Sequence, residues 1–119
     1  MEFRKTKQEG CYGVRISAEE NGKTAGWAFL IIIANDRHIE PYGLMENVYI
    51  EEEYRGGGIG TKLVELVIEE AKIRGCYKLL ATCRHSKPQV HSMYEKHGFR
   101  NHGLEFRMDL MESKVLTKD

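Results

Sequence analysis

Tyr54-Arg55-Gly56-Gly57-Gly58-Ile59-Gly60-Thr61 stands where a hydrophobic strand ends and an amphipathic helix begins. Four of the five positions from 56 to 60 are glycine. The backbone there can approach a ligand with no Cβ in the way and can take positive φ. The helix that follows offers unpaired N–H groups and the positive end of its dipole, which together favour phosphate. Arg55 adds a cation at the mouth of the loop. The local chemistry is that of a pyrophosphate cradle; the plain alternative is a glycine-rich turn with a surface arginine.

Spacing narrows the ligand. A Walker A loop needs Gly-Lys-Ser/Thr after its glycines, and the order here is Gly60-Thr61-Lys62. The dinucleotide fingerprint G-x-G-x-x-G fails as well, because Gly56 and Gly58 call for glycine where Thr61 stands. Arg-x-x-Gly-x-Gly fits, as Arg55, Gly58 and Gly60.

Working outward, Tyr42–Ile50 reads as the strand feeding the loop. Simple alternation puts Leu44, Glu46, Val48 and Ile50 on one face and Met45, Asn47 and Tyr49 on the other. Glu46 is then a lone carboxylate on an apolar face, where burial would raise its pKa towards that of a useful base. A glutamate paired with a cation or reaching solvent is the alternative. Glu51-Glu52-Glu53 reads as a solvated corner. From Gly58 or Ile59 to Arg74, helical spacing aligns Ile59, Leu63, Leu66, Val67 and Ala71, with Gly75 as the C-terminal cap. Cys76–Thr82 is strand-like, completing a βαβ unit with a right-handed crossover.

Upstream, Cys11–Ala18 alternates as a half-buried strand, Asn21-Gly22 signals a hairpin, and Thr24–Ala34 is apolar enough for an inner strand. Downstream, Ser86 or Lys87 caps a second helix with Pro88 in its first turn. Val90, Met93, Tyr94 and His97 share one side of it, and Gly98 ends it. Phe99–Asn101 and Leu104–Met111 are expected to close the sheet as a strand pair. The spacing thus predicts an α/β (α+β) fold with a single mixed, mostly antiparallel sheet. One domain is expected over residues 1–119, its core at about 11–111, with 1–10 and 112–119 flexible.

Composition limits the function. The 119 residues suit one core, with 41% hydrophobic and 30% charged residues;. Eighteen basic and eighteen acidic residues cancel, so no net field points to nucleic acid or anionic membrane. No apolar run reaches the roughly 20 residues of a membrane span, and Met1–Gly10 is too polar for a signal peptide. Three cysteines in separate elements fit reduced thiols in a cytoplasm.

Two motifs in this order of elements carry a family resemblance. Arg55-x-x-Gly58-x-Gly60 after a strand resembles the acetyl-coenzyme A loop of the GNAT superfamily of N-acetyltransferases. Tyr94-Glu95-Lys96-His97-Gly98-Phe99 is similar to a second signature of that family, and Val90-His91-Ser92-Met93-Tyr94-Glu95 resembles a variant found in its amine acetyltransferases. The match is specific from about Tyr42 to Phe99. The usual first strand and two helices are not apparent ahead of the strand pair, so the acceptor pocket is expected to be open or walled by a second subunit; a homodimer is the favoured expectation.

The resemblance implies a GNAT-like acyltransferase fold and acetyl-CoA as donor. The backbone of Val48, Tyr49 and Ile50 would pair with the pantetheine arm as a false strand. Arg55, Gly56, Gly57, Gly58, Ile59, Gly60 and Thr61 would hold the pyrophosphate. Tyr94 matches a general acid near the thioester sulfur, and Glu46 a strand position often held by the general base. Gly75-Cys76-Tyr77-Lys78 resembles glucosamine-6-phosphate acetyltransferases, but four residues do not fix a substrate.

Three functions are therefore in view. The first is acetyl transfer from acetyl-CoA to a primary amine of a small molecule or peptide, by direct attack in a ternary complex. The second is a non-catalytic acyl-CoA-binding module, and the third a binder of another nucleotide. No metal is expected: His38, His85, His91, His97 and His102 with Cys83 match no usual ligand spacing. Cys83 as an acyl-accepting nucleophile would need a depressed pKa.

Overall fold

The computed structural model of the chain describes residues 1–83 and 87–116. Its first hairpin joins β1 (Tyr12–Glu20) to β2 (Lys23–Ile33) through Asn21 and Gly22. Both turn residues take positive φ, 51° and 78°, as a type I′ turn matched to strand twist requires. β2 then pairs antiparallel with β3 (Tyr42–Ile50), and β3 pairs parallel with a short β4 (Leu79–Ala81). The sheet is mixed, in the order β1-β2-β3-β4.

Helix α1 (Ile59–Ile73) makes the crossover between the parallel strands. Gly75, at φ 77°, ends it in a Schellman motif: Cys76 N–H donates to the Ala71 carbonyl at 3.0 Å and Gly75 N–H to Lys72 at 3.1 Å;. The second helix, α2 (Pro88–Lys96), starts with proline and stops at Gly98, whose φ is 96°;. Ser86, one of the two candidate caps, and His85 lie outside the described residues. Lys87 occupies the N-cap position.

Alternation along β2 decides where the core sits. Ala28, Leu30 and Ile32 are buried against Leu63, Val64, Val67 and Ala71 of α1, with Met45 of β3. Burying each of the large side chains contributes about 1.5–3 kcal/mol. Val64 joins this face, whereas Leu66 is only half-buried. The other face of β2, bearing Trp27, Phe29, Ile31 and Ile33, is half-exposed.

Two sequence expectations are corrected. The faces of β3 do not alternate simply, because the β2–β3 register slips between Trp27 and Phe29: Trp27 stands opposite Tyr49 but Phe29 opposite Glu46. One extra residue in β3 is a β-bulge, with Asn47 at φ 52°. Met45, Val48 and Ile50 therefore share the core face, while Glu46 turns to the half-exposed face with Tyr49. The expected closing strands are also absent: among the described residues, none after Lys96 is helix or strand. Leu104, Phe106, Met108 and Leu110 are each at least 78% exposed. A strand needs an edge to take its hydrogen bonds, and here the sheet ends at the three residues of β4.

Candidate active site

β3 and β4 pair only from Gly43–Leu79 to Met45–Ala81. Beyond that register β3 runs on for five residues, and the two parallel strands part. Such a splay at the carboxyl ends of parallel strands is where open α/β sheets take ligands.

The loop after β3 closes one end of the opening. Arg55 Nε donates to the Ile50 carbonyl at 2.8 Å, and its guanidinium lies 5.5 Å from the centre of the Tyr49 ring. Gly56 and Gly58 take φ of 88° and 83°, values that only glycine adopts cheaply. Gly58 is the N-cap residue of α1, so the first N–H groups of that helix face the loop with no side-chain cap to satisfy them. A pocket of about 250 Å³ is lined by Val48, Tyr49, Ile50, Arg55 and Lys87. The expected strand and arginine are thus brought together. Lys87 is the residue the sequence reasoning misses here, its one signal being its place just ahead of Pro88 at a helix start.

Tyr94 reaches the splay from α2. Its hydroxyl stands 3.5 Å from the Thr82 carbonyl, one residue past β4, and its ring lies 5.3 Å from that of Phe99. Burial pushes its pKa up, and the nearby Cys83 and Glu46 add to the shift. The phenol therefore keeps its proton through neutral pH. α2 is held in place by His97, whose Nδ1 donates to the Met93 carbonyl at 2.9 Å and whose Nε2 lies 3.7 Å from Glu65 of α1.

Glu46 is exposed rather than buried, since it stands opposite Phe29 on the half-exposed face of the sheet. Its charge still adds to the upward shift of Tyr94. Cys83 does not become a nucleophile: burial, then the charge of Glu105, pushes its thiol up, away from the thiolate. Among the described residues, no group of three or more His, Cys, Asp or Glu could hold a metal ion, and no helix is long and apolar enough to cross a membrane.

A strand, a glycine loop opening a helix and a parallel pair that stops pairing beyond Met45–Ala81 define an α/β domain with an opening at its carboxyl strand ends. Residues 2–99 match the model of the acetyltransferase (GNAT) family, and the chain belongs to that family. It is 35% identical over 93 residues to the glucosamine 6-phosphate N-acetyltransferase of Trypanosoma brucei brucei, covering 77% of this chain and 61% of that protein. A putative acetyltransferase from Agrobacterium tumefaciens superposes with a TM-score of 0.75 at 36% identity, over 87% of this chain and 71% of the other. The glucosamine-6-phosphate N-acetyltransferase structure from Arabidopsis thaliana gives 0.70 at 28% identity, over 82% and 66%. The chain spans about three fifths of the length of the first of these curated relatives.

Proposed function

We propose that the protein transfers an acetyl group from acetyl-CoA to a primary amine by direct attack. The observation that carries this reading is the protonated Tyr94 hydroxyl 3.5 Å from the Thr82 carbonyl, just past the register at which β4 stops pairing with β3, the strand that ends in the glycine loop. In this reading, Arg55 and the loop from Gly56 to Thr61 hold the pyrophosphate, and Lys87 adds a second cation. The pantetheine arm lies along Val48, Tyr49 and Ile50, which brings the thioester to the splay.

Glu46 takes a proton from the acceptor ammonium, directly or through a water. The amine nitrogen then bonds to the thioester carbon, and backbone N–H groups near Val48–Ile50 stabilise the oxyanion. Collapse breaks the C–S bond, and Tyr94 donates its proton to the leaving thiolate. The surplus proton on the former amine nitrogen passes to the Tyr94 phenolate, directly or through a water, leaving a neutral amide. The raised pKa of Tyr94 does not disqualify it, because the desolvation that makes phenolate costly also raises the basicity of the thiolate beside it. The relatives named for glucosamine 6-phosphate support a small amino sugar as acceptor. A homodimer and a cytoplasmic location are part of the proposal.

Thiol release from acetyl-CoA across amines, polyamines, amino sugars and peptides tests the reading. Turnover with at least one amine is expected, and Glu46→Gln should lower kcat/KM by about 10²–10⁴ and remove its acidic limb. Acetyl-CoA binding without transfer to any acceptor would leave a binding module instead.

A further inference from the structure

The half-exposed face of the sheet holds a cation that the proposed chemistry does not use. Arg15 of β1 stands opposite Phe29 of β2, which stands opposite Glu46 of β3. All three therefore project from one face in one cross-strand row. Two strand spacings separate Arg15 from Glu46 at the backbone, about 10 Å. The next row is Ser17, Trp27 and Tyr49. The Arg15 guanidinium lies over the Trp27 ring at 5.4 Å from its centre, and Trp27 and Tyr49 have ring centres 4.8 Å apart.

Arg15 keeps its charge uncompensated. Glu19, further along β1, is occupied by the Ser17 hydroxyl at 3.0 Å and by the Thr24 hydroxyl at 3.0 and 3.2 Å. Among the described residues, no carboxylate comes within ion-pair distance of Arg15. The cation–π contact with Trp27 keeps the guanidinium close to this face of the sheet;. Its planar fork matches phosphate or carboxylate in two-point contact.

The direction of approach is also set. α1 covers the opposite face with the core, so an acceptor whose amine reaches Glu46 must lie across the face that carries Arg15. We propose that Arg15 is the acceptor's anion subsite, and that the preferred acceptor is a small amine carrying a phosphate or carboxylate on the side away from the amine. The regular pairing from Leu44 to Glu46 puts Glu46 on this face, and the bulge that follows brings Tyr49 onto it as well;. The inference rests on the acetyl-transfer reading and names the substrate class of that same site.

The test compares amines that differ only in the anion: glucosamine 6-phosphate against glucosamine, and an amino acid against its amide. For the wild type, kcat/KM should favour the anionic member of at least one pair, and the preference should shrink as salt is raised. Arg15→Met keeps an apolar stem on Trp27 and removes the charge. It should cut the preference by about 10- to 100-fold, the range of a charge-assisted hydrogen bond, whereas Arg15→Lys should keep part of it. Which pair responds separates phosphate from carboxylate. A preference within twofold of wild type in Arg15→Met, or a wild type without preference, overturns the proposal. Calorimetric titration of the same amines into the coenzyme A complex gives a second readout without turnover. A protein that shows the Arg15-dependent selectivity in binding but transfers no acetyl group would refute the catalytic reading and leave the subsite standing.

Discussion

At Tyr94, packing and proton donation make different demands on the same side chain, and a phenylalanine separates them. The ring packs against Phe99 and the core cluster, which Tyr94→Phe preserves. Among the described residues the hydroxyl has one long contact, to the Thr82 carbonyl at 3.5 Å, so its loss should cost little stability. We expect kcat to fall about 10²-fold or more, with acetyl-CoA affinity and Tm near wild type at neutral pH. Wild-type turnover in the mutant would end the general-acid role. The raised pKa also fixes the sign of a stability effect. The folded state holds this proton more tightly than the unfolded chain, so the contribution is complete below the ordinary value of 10.0 and is lost as pH rises through the folded value. Melting curves above about pH 10 should therefore fall more steeply for wild type than for Tyr94→Phe.

Among the elements, the turn into α1 is where conformation and ligand chemistry can be tested apart. Gly58 needs its positive φ, so any replacement there confounds strain with lost binding. Gly60 does not: its φ is ordinary, and an added Cβ would meet only the Ile50 side chain, at 3.8 Å. Aspartate in a first helical turn is favourable to the dipole, and helix propensity favours it slightly over glycine. Gly60→Asp is therefore expected to keep or raise Tm while weakening coenzyme A by about tenfold or more through repulsion of the pyrophosphate. Unaltered affinity would show that the cradle is misassigned. β3 makes the complementary point, because a single extra residue there puts Val48 and Ile50 on the core face of Met45 and leaves Glu46 on the face of Tyr49. Period-2 reasoning has no means of seeing such a slip.

For the molecule as a whole, ligand binding is the broadest check. If acetyl-CoA binds the folded chain alone, a concentration of about 100 times Kd should add roughly 2.7 kcal/mol of stability. A Tm that ignores acetyl-CoA would remove the cofactor assignment and with it the catalytic reading. The exposed alternating run from Leu104 to Leu110 belongs to this scale too, since the three-residue edge of β4 is all the sheet offers on that side and the run lies outside it.

Local signals in the chain were enough for much of this. Asn21-Gly22 determined the hairpin, and the apolar run to Ile33 the inner strand. The glycines and Arg55 determined the loop, and Gly75 and Gly98 the helix ends, because turn, cap and periodicity are settled within a few residues. Tertiary structure alone decided which way Glu46 faces, that Lys87 joins Arg55 at one pocket, and that Arg15 shares a row with Glu46. It also decided that Leu104–Met111 stays outside the sheet. Each of these depends on how segments distant in sequence are set against one another, which is not encoded in the alternation of a single segment.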